Sequence, residues 1–188
     1  MKFPHSERLQ LACRFERIVQ GEQHRDGRRY LPLLIFKVDP LQSESDLENP
    51  HPEPFLLGVV DRHHRVDLAQ VGQHGKAKLV FLLGQIRLQQ APYRQGFLPE
   101  TNGLRPSTRP QSFGKVLEVH SWERQRGLLA YEELFSELLL DVGGSVIGVR
   151  TIATSPDIAA SIGCEQVQPG DWLAVGESRI DILAFEPD

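Results

Sequence analysis

GLLAYEELFSELLLDVGG, residues 127–144, is the stretch on which the fold class turns. Leu128, Tyr131, Phe135 and Leu138 recur at helical spacing, and Leu134 and Leu139 widen the stripe. Glu132, Glu133 and Glu137 fall outside it. An apolar stripe with acids on the other side is the pattern of an amphipathic helix. The spacing predicts a helix over about 127–142, stopped by Gly143-Gly144. The three glutamates then form a solvated helix face.

Most of the remaining pattern is β. In RLQLACRFERI (8–18), Leu9, Leu11, Cys13 and Phe15 alternate with polar residues, as in a half-buried antiparallel strand. YLPLLIFKV (30–38) is nearly all apolar and is expected to be buried on both faces, with Asp26-Gly27 marking the hairpin before it. FLLGVV (55–60), RVDLAQV (65–71), KAKLVFLLGQIRLQQ (76–90), GKVLEVHSW (114–122) and SVIGVRTIAT (145–154) also read as strands. Ser155-Pro156-Asp157 predicts a short helical turn ending at Gly163. In VQPGDWLAVGESRIDILAF (167–185), Pro169-Gly170 fits a type II turn, and a strand–turn–strand meander follows.

Two segments break the pattern. Residues 39–54 hold four prolines among acids and predict an exposed or disordered insert; residues 91–112 hold four prolines, two glycines and three arginines and predict a linker. The expected architecture is therefore α+β and β-dominated. It comprises two small antiparallel β-barrel-like units, residues 1–90 and 113–188, the second carrying the helix.

The chain has 188 residues and a net charge of −4, divided unevenly. Residues 1–110 carry 16 Lys and Arg against 12 Asp and Glu; residues 111–188 carry 5 against 13. That is not the strongly basic balance of a dedicated nucleic-acid binder. No apolar run approaches the roughly 20 residues that span a bilayer, and the first residues alternate charge with apolar groups rather than forming a signal peptide. The expected compartment is the cytoplasm. Cys13 and Cys164 then read as buried thiols.

Motifs for chemistry are scarce. Asp61, His63, His64, Asp67 and His74 form the densest ligand-capable cluster. Adjacent histidines on a strand point to opposite faces, however, and Arg62 and Arg65 would repel a cation, so a polar turn is the expected reading. Ser121 beside His120 lacks a nucleophile elbow, Cys13 lies on an apolar face, and no phosphate-binding glycine motif occurs. No catalytic residue, metal or cofactor is expected. The function expected is a non-enzymatic adaptor or accessory factor that binds a protein partner, with Trp122, Trp172, Arg62, Arg65, Arg28 and Arg29 as candidate contacts. The alternative is single-stranded nucleic-acid binding by the basic N-terminal part, in the manner of a small β-barrel.

Overall fold

The computed structural model describes residues 3–42, 46–82, 85–101, 105–124, 132–151, 163, 167–176 and 178–188; of 121–124 and 132–135 it describes the backbone alone. Eleven strands among these residues form one mixed sheet. They are β1 (Leu11–Val19), β2 (Leu33–Val38), β3 (Phe55–Val60), β4 (His74–Leu82), β5 (Gln85–Leu88), β6 (Gly96–Leu98), β7 (Gln111–Arg124), β8 (Glu132–Asp141), β9 (Val146–Thr151), β10 (Trp172–Gly176) and β11 (Arg179–Pro187). Helical structure among the described residues is confined to two 3-10 turns, Ser6–Arg8 and Leu68–Gln70. No helix among them is long and apolar enough to cross a membrane.

The predicted helix is not there. Residues 132–141 are strand β8, paired with β7 on one edge and β9 on the other; residues 127–131 lie outside the described residues. The reason is burial on both sides. Leu138 and Leu140 enter the main core, while Leu139, between them, enters a second apolar cluster with Phe3, Leu9, Val80 and Leu82. A strand covered on both faces loses its alternation and reads as a continuous apolar run, which periodicity does not separate from a buried helix. Gly143-Gly144 is then a hairpin turn rather than a helix stop. Both glycines have positive φ, 102° and 71°, and Val142 N–H bonds Ser145 C=O at 2.8 Å between the paired ends of β8 and β9.

The barrel-like units are not found either. The sheet runs β3-β2-β1-β4-β9-β8-β7-β10-β5, with β11 joined to β4 and β6 to β7. β11 also runs beside β3, but no ladder joins the two among the described residues, so the sheet stays open. The turn at Gln168–Asp171 forms as expected, with Gly170 at φ 100° and Asp171 N–H bonded to Gln168 C=O. The strands after it do not form a meander: β10 pairs with β5 and β7, and β11 with β4. RVDLAQV is not a strand, because Asp67 accepts a hydrogen bond from Ala69 N–H and caps the 3-10 turn there. The helical turn predicted at 155–163 falls on residues outside those described, Gly163 excepted.

Strands from either side of residues 91–112 share ladders and a core. Phe185 packs against Phe15 and Phe36, at ring-centroid distances of 5.9 and 5.6 Å. Residues 91–112 themselves supply β6 and the start of β7, and Ser107 bridges to Leu57 on β3. The 39–54 segment is tied to them by a Glu48–Arg94 bridge.

Candidate functional site

A defect in β7 builds the most chemically distinctive cluster. Strict alternation would place Val116, Glu118 and His120 on one face, the core face. The register against β8 slips between Val116 and Glu118: Val116 lies opposite Leu140, and Glu118 opposite Leu139. Such a bulge moves every following side chain to the other face. Val119 turns to the main core, while Glu118 and His120 turn outward beside the second apolar cluster.

The N-terminal segment crosses that outer face. Phe3 is buried over Gly148 and beneath the Arg150 guanidinium, 5.7 Å from its ring centroid. Arg150 pairs with Glu137, which is 1% exposed. Leu9 is fully buried. Between these anchors the chain turns at His5, in the left-handed region at φ 50°, ψ 36°, which histidine tolerates better than most residues. The His5 and His120 rings lie 5.2 Å apart. Glu118 Oε2 is 3.2 Å from His120 Nε2 and 3.6 Å from His5 Nε2. Glu118 Oε1 is held by Arg8, and His5 Nδ1 lies 3.3 Å from Glu7 Oε1. His120, Arg8 and His5 hold the Glu118 carboxyl below the usual range, against the opposing effect of desolvation.

The residues singled out in the sequence disperse. Asp61 is a buried loop anchor: its oxygens accept hydrogen bonds from the backbone N–H groups of His63, Arg65 and Val66, at 3.2, 2.7 and 2.8 Å. His63 and His64 are exposed. His74 lies elsewhere, between Asp39 and Asp188, with one ring nitrogen 2.7 Å from each carboxylate. These two bonds, that to Asp188 first, raise its pKa. Cys13 is core, and burial pushes its thiol up to about 12.

Trp172 is half-buried, stacked on Tyr93 at 5.2 Å with Lys115 above it. Trp122 is on β7 opposite Phe135; its side chain lies outside the described residues. Arg62 is exposed beside a cleft of about 470 Å³ between β3 and β11, which Arg109 and Arg179 also line. Arg65 is half-buried in the Asp61 loop. Arg28 and Arg29 are exposed on the β1–β2 hairpin, far along the chain from both tryptophans.

That hairpin extends beyond its sheet. The β1–β2 ladder ends at Val19 and Leu33, but the ribbon continues through Tyr30 N–H to Glu22 C=O at 3.0 Å and His24 N–H to Arg28 C=O at 2.6 Å. Every residue from 22 to 31 is exposed, including Tyr30 at 56% and Leu31 at 39%. Val19 at its base is 43% exposed.

The sequence carried part of the His5–Glu118–His120 signal. Glu118-x-His120 in an apparent strand is a two-ligand spacing, but a pair alone makes no site, and nothing local announces the arrival of His5. Comparison with protein-family models, with curated proteins and with solved structures finds no match to this chain.

Proposed function

We propose that this chain is a non-enzymatic protein-binding adaptor or accessory factor of the cytoplasm, and that the extended β1–β2 hairpin, residues 19–31, is its contact arm. One observation carries the reading. The arm is a two-stranded ribbon whose residues 22–31 are all exposed, with the Tyr30 ring resting only on His24 at 4.3 Å. Such a ribbon is marginal in water on its own, and it presents Val19, Tyr30 and Leu31 among Arg25, Arg28 and Arg29. Exposed aromatic and apolar groups interleaved with arginine have the composition of an interface core. Among the described residues Arg25 and Arg29 have no ion-pair partner, and Arg28 has only Asp26, at 3.8 Å. A partner surface that is apolar and bordered by carboxylates complements this arm.

The test is affinity capture from lysate with nuclease present, comparing the natural chain with a Tyr30→Ser/Leu31→Ser variant and an Arg28→Glu/Arg29→Glu variant. A protein captured by the natural chain and lost with both variants supports the reading. An unchanged capture profile overturns the arm as the contact. The second reading, single-stranded nucleic acid, draws on the cleft where Arg62, Arg109 and Arg179 converge. Oligonucleotide binding that weakens steeply with salt, and is lost on Arg109→Glu, would favour it over the first.

A further inference from the structure

We propose that His5, Glu118 and His120 form a binding site for a divalent transition-metal ion of the zinc class, which fastens the N-terminal segment to β7. The three side chains each offer one ligand atom, and these atoms lie within 4.8 Å of one another. Zinc bonds nitrogen and carboxylate oxygen at about 2.0–2.2 Å in tetrahedral geometry, so neighbouring ligand atoms are roughly 3.3–3.5 Å apart. Glu118 Oε2 stands 3.2 Å from His120 Nε2 and 3.6 Å from His5 Nε2, close to two edges of that tetrahedron. Two imidazoles and one carboxylate make a donor set that zinc takes readily, with the fourth position left to water.

The outer contacts fit as well. A metal-binding histidine commonly donates its other ring N–H to a carboxylate, which fixes the tautomer. His5 Nδ1 faces Glu7 Oε1 at 3.3 Å, and an Nδ1–H donated there leaves Nε2, 3.6 Å from Glu118 Oε2, as the ligating nitrogen. Arg8 occupies Oε1 of Glu118 and leaves Oε2, the oxygen that faces both imidazoles. With Glu7 and Glu118 against Arg8, the surroundings are net negative before an ion enters.

The construction is deliberate in topology. Glu118 and His120 reach this face through the β7 bulge, and His5 is delivered by a segment pinned at Phe3 and Leu9. An ion here joins two parts of the chain 113 and 115 residues apart, counted from the ligand numbers, and reinforces the cover over Leu139 and Val80.

The experiment uses the full chain without a histidine tag. Zn2+ is titrated calorimetrically, and Co2+ is added separately to read coordination from its visible spectrum. The expected result is one Zn2+ per chain, a low-coordinate Co2+ spectrum, and slower amide exchange at residues 5–9 when Zn2+ is present. His5→Ala, His120→Ala and the near-isosteric Glu118→Gln should each weaken Zn2+ binding at least tenfold. Glu7→Gln should weaken it by about 10–100-fold, as loss of an outer-shell partner does. His63→Ala and His74→Ala should leave it unchanged. Zinc binding that survives in the His5→Ala/His120→Ala double variant overturns the proposal, as does loss in the His63→Ala or His74→Ala control, or absence of binding by the natural chain at millimolar Zn2+.

Discussion

Asp61 organises its loop through three backbone hydrogen bonds to one buried carboxylate. Replacing it by Ala leaves three N–H groups without that acceptor, two of them in the tight 2.7–2.8 Å bonds. Since a hydrogen bond to a charged group is worth about 1.5–3 kcal/mol, Asp61→Ala should lower unfolding free energy by about 2–4 kcal/mol in a urea titration. Gly148 makes a different demand. A Cβ there would sit 2.7 Å from Phe3 Cζ, so Gly148→Ala must displace the Phe3 ring. The expected outcome is faster amide exchange at Leu9 with the main-core amides unaffected; equal loosening of both would contradict it.

At the scale of the element, β8 has no solvent face through Leu138, Leu139 and Leu140. Leu140→Ala opens the main core and Leu139→Ala the smaller outer cluster, and each should cost about 2–5 kcal/mol by chemical denaturation. Were this segment a helix, one of these neighbours would point to solvent and its replacement would be nearly silent. Far-UV circular dichroism should accordingly show a β spectrum without the paired helical minima. The arm between β1 and β2 is the opposite case: Tyr30 and Leu31 are 56% and 39% exposed, so Tyr30→Ser/Leu31→Ser should cost only about 1–2 kcal/mol, even though the same variant is expected to abolish partner capture.

At the scale of the whole molecule, ladders between β4 and β11 and between β5 and β10 tie the two ends of the chain together. A fragment of residues 1–110 loses β11 from one edge of β4 and Phe185 from the Phe15–Phe36 cluster. It should show no cooperative thermal transition; a sharp one would mean that the first half folds by itself. The Asp39–His74–Asp188 cluster joins the end of β2 to both β4 and the residue after β11, and it confers pH dependence. Folding raises the His74 pKa above its ordinary 6.5. The stabilisation is therefore complete below about pH 6.5 and lost as pH rises through the raised folded value. The cluster is exposed, so the effect should be modest and reduced by salt. Melting temperature should fall with rising pH across that window, and His74→Ala should flatten the fall.

The sequence by itself determined the β-rich character of the chain. It also determined the strands whose two faces differ: Leu11, Cys13 and Phe15 alternate because one side of β1 is core and the other meets water. Local turn chemistry was equally legible at Pro169-Gly170, where only neighbouring residues decide the conformation. Tertiary structure decided the rest, because the deciding contacts are remote. Whether ELLLDV became helix or strand depended on the second cluster that Phe3 and Leu9 bring over Leu139, and sequence periodicity carries no trace of what covers a face. The His5–Glu118–His120 site depended on a one-residue bulge and on a ligand more than 110 positions away. The adjacent apolar pair Val116-Leu117 breaks the alternation without saying which face follows, and spatial convergence leaves no spacing to read.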